Sequence, residues 1–316
     1  MRACRAKRGR SAPFRFVLMQ AGFCVLALAA GCQTQANRTD AVATGLGYER
    51  QVVQGGLFEH VLYFKPGQRN PTLLHVYIDH DGVPWGRADQ PSSDPTPRDP
   101  SMLRWMARDP ASALYLGRPC YHGLAHDETC STAWWTDARF GREVVDSLAR
   151  ALDGFMRAHP GFGSVVLIGY SGGGVLAVLL ADQLDNVQHV VTIAAPLDTD
   201  AWTALHAFDP LVRSINPAVY PFHKDDIQEV HWTGGRDRNV PPTLAQSYVQ
   251  RRPHARLVNE ATFDHVCCWG DAWSRIVAEP DAGPPSSLAL DTPGAWELLR
   301  HPEAPGARQS VVATMP

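Results

Sequence analysis

Three residues in one order could do chemistry together: Ser171, then Asp237, then His265. A serine hydroxyl is a poor nucleophile near neutral pH and needs an adjacent base. The base in turn needs a third group to fix its tautomer and stabilise its charged form. Ser171 lies at the centre of Gly169-Tyr170-Ser171-Gly172-Gly173, after the apolar run Val165-Val166-Leu167-Ile168 and before Val175-Leu176-Ala177-Val178-Leu179-Leu180. A strand, a turn too tight for ordinary side chains and a buried helix form the setting in which Gly-x-Ser-x-Gly acquires meaning. Without that setting the pentapeptide recurs by chance in glycine-rich chains. No Gly-x-Gly-x-x-Gly accompanies it, which argues against a dinucleotide site.

Asp237 stands 66 residues after Ser171, beyond an apolar strand and ahead of Pro241-Pro242, and His265 follows 28 residues later. Asp198, after the preceding strand, is the rival acid. An acyl-transfer site also needs two backbone N–H groups aimed at the developing oxyanion. Gly172 is the first candidate. The second is expected in the loop Asp79-His80-Asp81-Gly82, with Asp81 favoured by position. Two acidic residues beside an oxyanion are unfavourable, so Asp79 is expected to be held by an arginine, Arg98 or Arg118. Trp85, Tyr170, Trp202 and Trp269 flank these segments and are candidates to line a substrate pocket; for each tryptophan, plain core packing is the competing role. His60, His75, His189 and His231 fall inside strand patterns and read as structural.

The elements that position these groups follow from hydrophobic periodicity. Strands are expected within 51–64 (two, around Gly55-Gly56), and at 72–78, 113–116, 187–194, 228–233 and 255–258, besides the one before Ser171. Helices are expected at 102–109, 136–158 and 242–251; Phe140, Val144, Leu148 and Leu152 recur at four-residue spacing in the second. Residues 90–100 are too rich in Pro, Ser and Asp for a regular element. The segment 197–224 is long for a crossover and is expected to form a small cap broken by Pro210, Pro217 and Pro221. Strands alternating with helices imply an α/β fold, a mostly parallel central sheet with helices on both faces.

These residues resemble those of the α/β-hydrolase superfamily. The likeness rests on Gly169-Tyr170-Ser171-Gly172-Gly173, on Gly235-x-Asp237-x-x-Val240-Pro241 and on Asp264-His265, and covers roughly Thr72 to Ala278. It implies an α/β-hydrolase fold, the chain order Ser–Asp–His for a triad, and acyl-enzyme hydrolysis of an ester, thioester or amide with no cofactor and no metal. More narrowly, the chain is similar to a group of bacterial lipoprotein-type hydrolases with Asp94-Pro95-Thr96-Pro97-Arg98, Gly117-Arg118-Pro119-Cys120-Tyr121 and His265-x-Cys267-Cys268-Trp269. That likeness carries no substrate. Esterase or lipase chemistry is the leading form, peptidase chemistry the second. A hydrolase-fold protein that binds or scaffolds with an idle triad is the alternative of another class.

The first 31 residues read as a lipoprotein-type signal peptide: a basic stretch (Arg2 to Arg15), an apolar run over 16–30, then Ala29-Ala30-Gly31-Cys32. Cys32 is the expected lipidation site, giving a membrane partner and a cell-envelope location. Residues 32–47 are expected as a polar tether, 48–279 as the hydrolase domain, and 280–316 as a Pro/Ala-rich tail. Removing the leader takes six of the 29 basic residues and leaves 32 acidic ones, a net charge of about −9, a balance that disfavours nucleic-acid binding. Of seven cysteines, Cys120, Cys130, Cys267 and Cys268 remain for disulfides in an oxidising compartment. A 120–130 pair is preferred, which leaves Cys267–Cys268 as a vicinal bridge. Cys120-x-His122 with His126-x3-Cys130 is a competing zinc pattern.

Overall fold

The computed structural model describes residues 34–87 and 90–278; the expected leader, Cys32 and the tail 280–316 lie outside them. The main sheet has eight strands: β1 (Arg50–Gln54), β2 (Glu59–Lys65), β3 (Arg69–Ile78), β6 (Ala111–Leu116), β7 (Ser164–Tyr170), β8 (Val187–Ile193), β9 (Gln228–Gly234) and β10 (Ala255–Glu260). They lie in the order β1-β2-β6-β3-β7-β8-β9-β10. A two-stranded ribbon, β4 (Trp85–Arg87) with β5 (Gln90–Pro91), stands apart. The β1–β2 and β2–β6 pairs are antiparallel, and every pair from β6 to β10 is parallel. The strand order reverses at β3 and β7, and ligands of open α/β sheets sit at the carboxyl ends of strands at such a point. There Ile78 pairs with Gly169, which sets the loop after β3 beside Ser171.

Side-chain alternation along the strands builds two cores. Leu74, Val76 and Ile78 of β3 and Val165 and Leu167 of β7 face one side; Leu73, Tyr77, Val166, Ile168 and Tyr170 face the other. Helices α3 (Arg142–Ala158) and α4 (Gly172–Gln183) cover the first face, and α2 (Ser101–Met106) and α7 (Trp273–Ala278) the second. Helix α4 is buried on nearly every side, as its apolar sequence from Gly172 to Ala181 requires. Helix α3 buries Val144, Leu148, Leu152 and Phe155 and turns Arg150, Asp153 and Arg157 outward. Between β8 and β9 runs α5 (Thr199–His206), followed by an irregular stretch, and α6 (Thr243–Val249) follows β9. His60, His75 and His231 are core residues, bonded to Ser147, Asp109 and Thr192 respectively. His189 is half-buried on β8.

Two expectations change. Helix α3 begins at Arg142, not near Thr136, because Gly141 is its N-cap with extended backbone; residues 136–141 instead turn Arg139 inward. The segment expected as a free tether holds helix α1 (Gln35–Gly45), capped by the Thr34 side chain. Its inward face is Ala36, Thr39 and Ala43, and Tyr63 donates to Asp40. These small side chains pack closely yet leave little hydrophobic signal.

Both cysteine pairs are bonded, Cys120–Cys130 and Cys267–Cys268. The zinc pattern therefore does not assemble, since its two thiols are joined to each other. The Cys120–Cys130 bridge closes a sequence separation of 10. Loop-closure entropy for so short a loop is roughly 3 kcal/mol. Cys130→Ser is expected to lower unfolding stability by about that amount in urea titrations, and no more than marginally once the parent protein is also reduced.

Candidate active site

Ser171 has φ 52° and ψ −123°, a left-handed conformation that a non-glycine residue adopts only when its surroundings impose it. Its N–H donates to Ile193 O at 2.8 Å. The crossing of β7 and α4 leaves no room for side chains: a Cβ on Gly169 would lie 2.3 Å from Gly173 O, and one on Gly173 would lie 2.1 Å from Ile78 O. The turn therefore stays sharp, and the Ser171 side chain is pushed out at the carboxyl end of the sheet. Gly172 opens α4, where backbone N–H groups have no partner within the helix.

Asp237 follows β9 in the turn Gly234-Gly235-Arg236-Asp237. Its side chain is fully buried. Oδ1 accepts the N–H groups of Asn239 (2.8 Å) and Val240 (2.7 Å), and Oδ2 accepts from Nδ1 of His265 at 2.8 Å. Two backbone bonds orient the carboxylate, and the carboxylate holds the imidazole with Nδ1 as donor, leaving Nε2 free to accept a proton. The loop that carries His265 is pinned from below. Tyr170 Oη and Trp269 Nε1 both donate to His265 O, at 2.8 and 3.1 Å, and the Tyr170 ring lies 5.7 Å from the imidazole. Among the described residues no hydrogen bond joins Ser171 Oγ to the imidazole, a looseness common in unliganded sites. Asp198 is elsewhere: it caps α5 through Ala201 N and binds Asn216 and Ser247. The rival acid is thereby placed away from His265.

The loop after β3 departs from expectation. The carboxylate clamped by arginines is Asp81, not Asp79, and the second arginine is Arg139 rather than Arg98. Asp81 pairs with Arg118 and, at 2.9 Å, with Arg139; the arginine side chains are 2% and 6% exposed. Burial works to raise the Asp81 pKa, but Arg118 and then Arg139 outweigh it and hold the carboxyl down at about 2. Both guanidinium groups pair with the one carboxylate, which itself abuts Gly172. Asp81 also accepts the Tyr121 hydroxyl on its backbone oxygen at 2.9 Å, so its side chain and the Asp81–Gly82 peptide that follows it are both held. A Cβ on Gly172 would meet Asp81 Oδ1 at 2.0 Å; the clamped carboxylate and the first turn of α4 are in direct contact. Asp79, fully buried, is bonded instead to His80 N and Tyr115 Oη, and burial pushes its pKa up.

Ser171 and His265 open on a single cavity of about 1010 Å³, at the upper end of small-molecule sites. Its lining includes Asp81, Gly82, Arg139 and Tyr170, with Val83, Pro84, Trp85 and Val266, and Trp202, Phe208 and Leu211 of the cap. Trp85, Tyr170 and Trp202 thus stand where a pocket residue should. Trp269 does not: it is fully buried under the His265 loop against Phe263. Sequence reasoning missed Arg139, Phe208 and Val266.

Asp81→Asn would leave two buried guanidinium groups without a counter-charge, and about 3–5 kcal/mol of stability should be lost. The pH dependence has a defined sign. Because the folded pKa lies below the ordinary 3.8, the pairing stabilises fully above about pH 4 and fades as pH falls towards 2, by roughly 2 kcal/mol. Urea titrations of parent and variant between pH 2 and 7 should converge at the acid end; parallel curves would remove Asp81 from the acid response.

No protein-family model matches the chain, and no curated protein matches it by sequence. Solved structures do match. A membrane phospholipase A described as a bacterial virulence factor aligns with a TM-score of 0.54 at 15% identity, over 85% of this chain and 99% of that one. An esterase of Pyrococcus furiosus aligns with a TM-score of 0.54 at 14% identity, over 75% of this chain and 92% of that one. At such identities the likeness speaks for architecture alone, and it agrees with the mostly parallel eight-stranded sheet: the chain has the α/β-hydrolase fold.

Proposed function

We propose that the protein is a serine hydrolase that cleaves acyl substrates, esters foremost, through a covalent acyl-enzyme on Ser171. The observation that carries this reading is the oriented His265–Asp237 pair in the wall of the cavity onto which the strained Ser171 opens. In the proposed cycle Nε2 of His265 takes the Ser171 proton as Oγ bonds to the substrate carbonyl carbon. The carbonyl electrons move onto oxygen, towards the N–H groups of Gly172 and Asp81. His265 then returns its proton to the departing alkoxide as the carbon–oxygen bond breaks. Water repeats the sequence on the acyl-enzyme and regenerates Ser171. The apolar walls, Val83, Trp85, Trp202, Phe208, Leu211 and Val266, suit an acyl chain better than a charged peptide. Export and lipidation at Cys32 would place this activity in the cell envelope.

A fluorophosphonate probe and a p-nitrophenyl ester series from acetate to palmitate test the proposal. Ser171→Ala and His265→Ala are each expected to abolish labelling and to lower kcat by roughly 10⁴–10⁶, since such residues act as a unit. Folded parent protein that neither reacts with the probe nor turns over any ester would instead indicate an idle, ligand-binding site.

Asp237→Ala should lower kcat by roughly 10³ or more, with His265 losing its fixed tautomer. A loss under about tenfold would dismiss Asp237 as the orienting acid; Asp198→Ala should leave kcat within about twofold of the parent.

A further inference from the structure

Nine large apolar side chains are exposed among the described residues; three of them, Trp85, Phe208 and Val266, line the cavity, and two more, Leu205 and Val212, stand within two positions in the chain of residues that do. Trp85, Phe208 and Val266 line the mouth of the cavity, and Leu205 and Val212 belong to the cap segment 202–212 that forms its far wall. Val212 is 79% and Val266 75% exposed. Single exposed apolar residues are ordinary on a protein surface, whereas a cluster at a cavity mouth marks a contact surface.

A second, independent observation concerns where the chain enters the fold. Helix α1 starts at Thr34, and Ala36 lies against Gly123 in the loop beyond the carboxyl end of β6. That is the end of the sheet that carries Ser171, Asp237 and His265. Ala43 further along α1 packs in one core with Met102, Leu103 and Met106 of α2, and Ser101 at the start of α2 lines the cavity. Cys32 precedes Thr34 by two residues, a reach of about 7 Å at full extension. A free tether of the expected length would reach about 50 Å and leave the domain in any orientation. With α1 docked, a lipid on Cys32 holds the cavity end of the domain close to the bilayer.

We infer that the rim formed by Trp85, Leu205, Phe208, Val212 and Val266 docks on a lipid bilayer, and that the cavity draws its acyl substrate from membrane-resident lipid. The substrate class rests on the hydrolase reading above, and the orientation on the anchor at Cys32. Trp85 suits the headgroup level, with an apolar ring and a polar N–H. The aliphatic residues suit shallow burial at the acyl boundary.

The test uses the full chain, expressed with its own leader and placed in vesicles of phosphatidylethanolamine and phosphatidylglycerol, with the Cys32→Ser chain in buffer as reference. Amide exchange in 83–87, 204–212 and 264–268 should slow about tenfold on vesicles, while 66–70 and 159–163 at the opposite end of the sheet stay unchanged. Leu205→Asp with Val212→Asp, neither of which lines the cavity, should reduce turnover of a vesicle-embedded long-chain ester about tenfold and leave p-nitrophenyl acetate turnover unchanged. Protection at 66–70 and 159–163 instead, or a double variant equally active on both substrates, overturns the proposal. So does rim protection that appears without vesicles as a concentration-dependent dimer, which would make a second copy the occupant. Rim protection on vesicles with no turnover of either ester supports docking and sinks the hydrolase reading alone. Rim protection that persists when Cys32→Ser is mixed with vesicles supports docking without the anchor.

Discussion

One close backbone approach sets the geometry of everything around the site: the first turn of α4 rides directly on the end of β3. Gly173 has no side chain because Ile78 O occupies the place a Cβ would take. Gly172 has none because the Asp81 carboxylate does. This contact forces the left-handed conformation at Ser171 and brings the loop after β3 against the helix N-terminus. A wider separation would relax the serine turn and move the Asp81 peptide away from Gly172. The strain at Ser171 and the contact of the Asp81 carboxylate with Gly172 are therefore one constraint, imposed by neighbouring parallel strands that pair through Ile78 and Gly169.

Holding an aspartate against that contact is costly unless its charge is answered. The answer comes from two segments with no regular structure of their own. Arg118 and Tyr121 lie on the loop after β6, which Cys120–Cys130 closes. Arg139 comes from the irregular run ahead of α3, where Arg139 Nε also donates to Thr136 O. Buried charge pairs contribute little net stability but punish the loss of a partner heavily. The clamp therefore works as a specification of position: it fixes one conformation of the loop beside Ser171 and makes alternatives expensive.

Much of this was legible in the sequence for a simple reason. Continuous apolar runs and a helix apolar over most of its length report burial directly, so β3, β7, β8, β9 and α4 lie where the pattern puts them, and the spacing of Asp237 and His265 follows from strand ends. What was not legible depends on side chains acting against type. Helix α1 buries alanines and a threonine, which give no amphipathic signal. Trp269 sits in the core although it follows His265 at a position that a pocket residue could occupy, because its N–H is needed to hold the His265 backbone oxygen. Asp79 and Asp81 differ by two positions and have opposite fates, one buried among neutral donors and the other clamped by arginines. No local pattern distinguishes them, since the arginines arrive from 37 and 58 residues away.

The division of labour between the two sides of the cavity follows from the same forces. The floor is built from strand ends, a helix terminus and a buried ion cluster, all of them tied by hydrogen bonds to the sheet. The far wall comes from one short helix and the irregular stretch beyond it, joined to the floor side through contacts such as Trp202 Nε1 and His206 Nε2 with Asn239 O. Its apolar residues Leu205, Phe208 and Val212 are each more than half exposed among the described residues. A soluble substrate of modest size would be served by a cap that buried these side chains and shrank the cavity. Leaving them exposed disfavours the protein in water unless something outside it removes them from water. The exposure is thus best understood together with the entry of the chain at the same end of the sheet: the surface that is least comfortable in water is the one an anchor at Cys32 would hold against lipid.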